Sequence, residues 1–536
     1  MKKRKLLLLS ILSGIIMFLG WPPYGFPILL FFGFVPLLFV EEELCSNKGK
    51  YAKTSIFLYS YLAFFVWNGV TTWWIFKSTI FGGFSALIVN PLLLTIPFYL
   101  FHITKRRFNR KESYLSLIFY WITYEFVILD WDLSWPWLNI GNGFAAYPKL
   151  IQWYEYTGCL GGTLWVLILN ILFYFIIKEA FVKKAILKTK LKIITILALA
   201  LPVLISLLIY YSYKEKKNPV SIVVVQPNID PYKEKFGSIP PVEQLQKIIN
   251  LAKTKVDINT DYVIGPETAI PEGFWENHIK KAWCIDSLNK LIDSFPQLKI
   301  VIGLSSYRMF INGEGKTLTA RKYPLINNYF YDIYNTAMQI DSTSTIQLYH
   351  KSKLVPGVEK MPFPRIFKSL EKFAINMGGS TGSYGIQEER TVFLSRENKV
   401  KIAPVICYES AYGEFVSKYI INGANLIFII TNDGWWGNTA GYKQHLDYAC
   451  LRAIETRRSI ARSANTGISC FINQRGDIIE KSEWWTATAM KNNINTNSYL
   501  TFYVKYGDYI GRICQYLSYL SIMSLIILFA MRKIKH

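Results

Sequence analysis

The stretch Ile402-Ala403-Pro404-Val405-Ile406-Cys407-Tyr408-Glu409 sets a cysteine and a glutamate directly behind a run of five side chains that carry no polar group. A short run of this kind reads as a strand buried on both faces. Similar runs occur at Ser221–Gln226, Tyr262–Gly265, Lys299–Leu304 and Ala424–Thr431. Amphipathic helix patterns over Val242–Thr254, Ile279–Phe295 and His445–Arg458 alternate with them. The segment 218–505 is therefore predicted to be an α/β domain, long enough to hold a complete catalytic unit.

Outside that segment the texture changes. Hydrophobic residues make up 51% of the 536-residue chain and aromatics 16%, more apolar surface than a water-soluble fold of this size buries. Eight apolar segments are predicted to cross a membrane: Leu6–Gly20, Phe26–Val40, Ser55–Phe76, Phe84–Thr104, Ser113–Asp130, Tyr156–Ile177, Ile193–Tyr211 and Ile513–Met531. The first begins like a signal peptide, but no small-residue cleavage site follows, so it is read as a retained helix. The second is short, and with the first it could form a re-entrant hairpin. The expected organisation is a polytopic bundle of seven helices over 1–215, the α/β domain over 218–505, and a last helix with a short tail over 510–536.

A net charge of +23 suggests nucleic acid until the charges are located. About a third of the basic residues fall in Lys2–Lys5, Lys48–Lys53, Lys105–Lys111, Lys178–Lys192 and Arg532–Lys535. Each stretch flanks an apolar segment where a cytoplasmic loop is expected, whereas the loops near Trp21–Tyr24, Phe76–Gly82 and Trp131–Tyr154 carry only Lys77 and Lys149. The charge records membrane orientation, and no nucleic acid partner is expected. Both termini are placed inside and the α/β domain outside. Intramembrane charge pairs look scarce, which argues against a transporter. The seven cysteines are scattered without a C-x-x-C pair, so neither a disulfide framework nor a metal site is expected.

Three strand ends in the α/β domain carry reactive side chains: Glu267 in Tyr262-Val263-Ile264-Gly265-Pro266-Glu267, Lys351 and Lys353 after His350, and Cys407. In open α/β sheets, functional groups collect beyond the carboxyl ends of strands. Each also has a plain structural explanation: a cysteine in an apolar strand fills core, a glutamate after a strand caps a helix or meets water, and lysines sit on the surface.

Together, however, the order Glu267, Lys351, Cys407 resembles the nitrilase, or carbon-nitrogen hydrolase, superfamily. Gln226-Pro227-Asn228, Pro266-Glu267-Thr268, Tyr334-Asn335-Thr336, Asn432-Asp433-Gly434-Trp435-Trp436-Gly437, Gln444-His445 and Arg462-Ser463-Ala464-Asn465 match as well. With Trp121-x-x-x-Glu125 and Trp135-Pro136-Trp137 in the apolar half, nearly the whole chain resembles the apolipoprotein N-acyltransferases, the membrane members of that superfamily. There are departures: Gly265 replaces a tryptophan, Pro356-Gly357-Val358-Glu359 replaces a Pro-Phe-Gly-Glu loop, Phe236 stands for a tryptophan, and Ile128 for an arginine.

The resemblance implies an α-β-β-α sandwich joined to the membrane bundle, in a bacterial inner membrane. It implies acyl transfer from a phospholipid to the amino group of a diacylglyceryl apolipoprotein, with no cofactor. Cys407 would be the nucleophile, Glu267 the base, and Lys351, with the N–H of Tyr408, the oxyanion partner. Glu359 and Glu409 would orient the lysine or the loops around it. Phe236, Asn335, Trp435 and Trp436 would meet substrate. The competing readings are a membrane-anchored amidase and a lipoprotein-binding protein without activity.

Overall fold

The computed structural model describes residues 2–108, 111–182, 184, 186–343, 345–363, 383–397 and 399–534. Lys535 and His536 of the basic tail, and Arg110 and Lys183 of two basic stretches, lie outside them. The chain forms two compact units: 1–76 with 80–212 and 506–536, and 77–79 with 213–505.

The first unit is helical: α1 (Lys3–Leu19), α2 (Val35–Ser46), α3 (Ser55–Thr72), α4 (Ile80–Phe108), α5 (Leu115–Val127), α6 (Tyr154–Ile177), α7 (Thr189–Ser212) and the C-terminal helix Tyr509–Ile534. Among the described residues four helical stretches are long and apolar enough to cross a bilayer, Gly82–Phe108, Tyr154–Val182, Thr189–Ser212 and Tyr509–Met531. The other four of the eight segments read from hydropathy do not meet that measure within a single helix. Helices α2 and α5 have 12 and 13 residues, about 18–20 Å at 1.5 Å per residue, short of a hydrocarbon core of about 30 Å. The second apolar segment divides into a 3₁₀ turn, Pro27–Phe32, and α2, which continues past Val40 to Ser46. Helix α7 and the C-terminal helix leave Leu197, Leu201, Leu204, Leu208, Ile526, Ile527 and Phe529 exposed, a surface that calls for hydrocarbon rather than water.

Charge pairs do occur in this unit, where basic stretches flank its apolar segments. Lys105 on α4 binds Glu41 and, at 2.7 Å, Glu42 on α2; His102 Nδ1 lies 2.9 Å from Glu41 Oε1, and Lys178 reaches Glu42 at 2.8 Å. The partners are distant in sequence and belong to different segments, so linear inspection hides them. Glu125 is likewise satisfied rather than free. It accepts from Trp121 Nε1 (3.0 Å), Ile140 N (2.8 Å) and Thr163 Oγ1 (2.6 Å), tying α5 to the loop after it and to α6.

The second unit has fourteen strands among its described residues: β1 (Pro219–Gln226), β2 (Tyr262–Ile264), β3 (Ile270–Trp275), β4 (Lys299–Phe310), β5 (Arg321–Lys322), β6 (Phe330–Ile340), β7 (Gln347–His350), β8 (Phe393–Leu394), β9 (Lys401–Ile406), β10 (Leu426–Thr431), β11 (Ile460–Ala464), β12 (Cys470–Ile472), β13 (Ile478–Lys481) and β14 (Thr488–Asn495). One sheet runs β14-β1-β2-β4-β6-β5, with β3 on β4 and β7 on β6; the other runs β13-β12-β11-β10-β9-β8. On one face of the first sheet, Val223, Val225, Ile300 and Ile302 pack against Leu245 and Ile248 of α8 (Pro241–Lys253) and Leu288 of α9 (Trp283–Ser294). On the other face Tyr262 meets Phe428 of the second sheet edge to face at 5.3 Å. Helices α10 (Gly413–Ile421) and α11 (Ala440–Thr456) pack together, with α10 against β9. The result is an α-β-β-α sandwich whose central strands are covered on both faces, which explains their unbroken apolar runs.

Two helices differ from the periodicity. α9 starts at Trp283, because Ala282 is extended and a 3₁₀ turn, Glu276–Lys281, precedes it. α11 starts at Ala440, where Thr439 accepts from Gly441 N, and stops at Arg457, whose φ is +50°.

Candidate active site

Parallel pairing of β1, β2 and β4, and of β9, β10 and β11, points these strands' carboxyl ends the same way within each sheet. Beyond β2 the chain turns through Gly265 and Pro266 to Glu267; beyond β9 it turns at Cys407. Cys407 has φ +49°, a backbone conformation that side chains bearing a Cβ adopt at a cost and that collects at functional turns. It opens a 3₁₀ turn, Cys407–Ala411. Lys351 follows β7 and is fixed by its own N–H, which donates to the Asn335 carbonyl on β6 at 2.8 Å.

Three of the expected residues meet around the lysine. Lys351 Nζ lies 2.9 Å from Glu267 Oε1 and 2.8 Å from Glu359 Oε1. Asn335 Nδ2 donates to the same Glu267 oxygen at 2.8 Å. Burial favours the uncharged forms, but the two carboxylates raise the Lys351 ammonium well above its ordinary value, and that ammonium holds the Glu267 carboxyl low. Burial, then the charge of Glu267, pushes the Cys407 thiol well up; Lys351 opposes this. The three side chains thus act on one another's charge.

Glu359 reaches Lys351 although the glycine of its loop is displaced by one position. Gly357 takes φ +80°, and the loop returns Glu359 Oε2 to accept from Val355 N at 2.9 Å. Glu409 points away from the lysine and works on backbone. Its Oε2 accepts from Ile406 N (2.8 Å), and its Oε1 from Ser352 N and Tyr349 Oη (2.7 Å each). One buried carboxylate therefore straps the residue before Cys407 to the residue after Lys351. Tyr408 is buried, its ring edge-on to Tyr412 at 5.3 Å. Lys353 is set apart, its ammonium 4.8 Å above the Tyr412 ring.

The aromatic residues divide. Phe236, 62% exposed, stacks on Trp435 at 6.4 Å, and Tyr232 meets Trp435 at 5.1 Å. Trp436 packs instead against His445 at 5.6 Å. Asn335, expected at the substrate, has its amide N–H on the carboxylates, while its buried Oδ1 has no partner among the described residues.

Sequence reading missed what lies behind Cys407. Asp433 binds Arg462 and, at 2.9 Å, His445; His445 Nε2 lies 3.2 Å from the Cys407 carbonyl and 2.9 Å from Ser410 Oγ. All three are fully buried, and Arg462 with His445 holds the Asp433 carboxyl far below the usual range against the opposing effect of burial. The signal was present in the quoted motifs, but only the fold brings those motifs together.

Gly265 has a packing reason. A Cβ there would lie 2.8 Å from Cγ1 of Ile302, so isoleucine fills the space a larger residue would need. Gly265→Ala is expected to cost about 1–3 kcal/mol, as overpacking does, and Ile302→Ala in the same chain, which removes the clashing γ carbon, should recover part of it, read as melting temperature in detergent. Ile128 is buried in the helical unit; nothing there explains the exchange for arginine.

Residues 223–499 match the carbon-nitrogen hydrolase family model, and residues 13–172 match the model of the apolipoprotein N-acyltransferase N-terminal domain. Proteins named apolipoprotein N-acyltransferase are similar over nearly full length. That of Chlorobaculum tepidum is 29% identical, covering 94% of both chains, and that of Thermotoga maritima 25%, covering 94% of this chain and 90% of its own. Among solved structures, the nitrilase-superfamily protein Nit3 of Saccharomyces cerevisiae covers 53% of this chain and 93% of its own, with 15% identity and a TM-score of 0.36. From the match over more than half its length, this chain belongs to the carbon-nitrogen hydrolase family.

Proposed function

We propose that this chain is an apolipoprotein N-acyltransferase, which moves an acyl chain from a phospholipid to the N-terminal amine of a diacylglyceryl apolipoprotein through a thioester on Cys407. The observation that carries the reading is the Lys351 ammonium clamped between Glu267 and Glu359 and acting on the charge of a left-handed Cys407.

In the first half-reaction Glu267 takes the Cys407 proton as the sulfur attacks the ester carbonyl, since a thiol this far above its ordinary value holds almost no thiolate at rest. Negative charge moves to the carbonyl oxygen, where Lys351 meets it. Collapse breaks the ester C–O bond, and the lysophospholipid leaves with the proton from Glu267. In the second half the amine attacks the thioester, Glu267 takes its proton, and the sulfur leaves and is reprotonated. The Oδ1 of Asn335, without a partner among the described residues, would accept from that amine. Phe236, Trp435 and Tyr232 supply an apolar rim suited to an acyl chain.

Both substrates are anchored in lipid, and lifting a chain into water costs about 0.8 kcal/mol per CH₂. Apolar helices in the same chain remove that cost. The flanking basic stretches support an eight-crossing arrangement in a bacterial inner membrane, with cytoplasmic termini and the α/β unit on the periplasmic side. The three-part division into 1–215, 218–505 and 510–536 belongs to the same proposal.

The test is the purified chain in mixed micelles with phospholipid and a diacylglyceryl peptide. N-acylated peptide is expected; ammonia from small amides with no acylated peptide would instead assign an amidase. The depressed Glu267 carboxyl also sets a pH dependence. A base held below its ordinary value stays ionised through neutral pH and is lost only below the usual carboxylate range. Acylation should therefore show no acid limb between about pH 5 and 7; a limb centred near 6 would contradict the assignment of Glu267.

A further inference from the structure

Lys235 is 3% exposed, and among the described residues no carboxylate pairs with it; its ammonium lies 5.7 Å from the centroid of the Phe236 ring. It sits in the turn Glu234–Ser238, which Gln244 of α8 pins by donating to the carbonyls of Lys235 and Ile239 at 2.8 Å each. Its ammonium donates to the backbone carbonyl of Glu267 at 3.1 Å, the one acceptor it meets among the described residues. An ammonium has three donors, so two remain without a hydrogen-bond acceptor among the described residues. A buried cation left in that state is costly, and folds tolerate the cost mainly where the charge is used.

Its surroundings indicate the use. The charges that act on it come from Glu267, in the turn after β2, and Cys407, at the end of β9; burial outweighs both and brings the ammonium down to about 8. Lys351 and Asp433 act on the same thiol. Lys235 is thus bonded to the turn that carries the base, and its charge is felt at the sulfur, while Lys351 is already committed to two carboxylates.

We infer that Lys235 is a second cation of the reaction centre, anchoring the Glu267 turn through its carbonyl and offering its remaining N–H donors to the negative charge that passes from Cys407 to the ester oxygen during acylation. The inference rests on Cys407 being the acylated residue. It adds no bond-making step: the proton still travels from sulfur to Glu267 and on to the departing alcohol, and Lys235 keeps its own.

The experiment uses the full chain in phospholipid micelles, as wild type, Lys235→Gln and Lys235→Arg. Single-turnover acylation is followed by the fatty-acyl mass on the Cys407 peptide, and iodoacetamide alkylation of Cys407 is measured across pH. Glutamine retains a donor for the Glu267 carbonyl but no charge. Lys235→Gln is expected to slow acylation on the order of 10²-fold, as loss of one oxyanion partner does, and to move the alkylation profile to higher pH. Wild-type acylation should fall as pH rises through about 8, and Lys235→Arg, which does not deprotonate there, should abolish that fall. The arginine comparison decides the matter even if the glutamine variant does not fold. Wild-type rates and profiles in a folded Lys235→Gln protein, or the same alkaline fall in Lys235→Arg, would overturn the inference. Failure of the underlying reading has another signature, no acyl mass on Cys407 in the wild type.

Discussion

Cys407→Ser should leave a folded protein that forms no thioester and transfers no acyl chain, with activity down on the order of 10⁴-fold or more. Serine differs from cysteine by one atom and can occupy the same left-handed turn, so the Ser410, His445 and Glu409 contacts around it have no reason to change. What changes is the nucleophile. A hydroxyl is a poorer nucleophile than a thiol and is harder to ionise, and the single carboxylate base beside it is held low by Lys351. Mass spectrometry of the Cys407 peptide after incubation with phospholipid separates the outcomes. Wild type should carry a hydroxylamine-labile fatty-acyl increment, and the serine variant none. Full transfer by the variant would assign the chemistry to another residue or leave the chain as a lipoprotein-binding protein.

The second large effect is on stability as well as rate. Lys351 is fully buried between two carboxylates, and removing one partner from a buried ion pair typically costs about 3–5 kcal/mol, because the remaining charge is left uncompensated. Lys351→Met should therefore lower the melting temperature markedly and abolish acylation. The loss has a defined pH dependence. Without the ammonium, burial at Glu267 is no longer opposed by Lys351 and raises that carboxyl above its unfolded value, so the folded variant binds protons more tightly and gains stability as pH falls. The deficit relative to wild type should be smaller at pH 5 than at pH 8. Adding Glu359→Gln should restore part of the stability and none of the activity. A single variant as stable as wild type at pH 8 would mean that the three side chains do not interact as described.

Much of this site is legible in the sequence because strand ends are legible. Apolar runs ending in Pro266-Glu267 and Ile406-Cys407 identify two positions, and the family motifs supply Lys351. Contacts made through the backbone are harder to read. Glu409 bonds to the N–H groups of Ile406 and Ser352, and Lys235 to the carbonyl of Glu267; such partners leave no mark on residue type. Phe236 and Trp435 stack, but only the fold shows that Trp436 faces the other way. In the helical half, hydropathy finds apolar segments well and their lengths poorly. Pro27 and Gly33 flank and interrupt the second segment without making it less apolar. The Glu41, Glu42, His102, Lys105 and Lys178 cluster joins residues that no local window contains.

The Glu409 strap also bears on how such an enzyme could change its diet of lipids. Because a single side chain bonds to both loops, the backbone at Ile406 and at Ser352 is tied together without help from the aromatic rim. On the proposed function, positions 236 and 435 could then drift, trading one ring for another to suit longer or shorter tails. Innovation in what is carried and constancy in how it is carried are in that sense built into separate parts of the same fold.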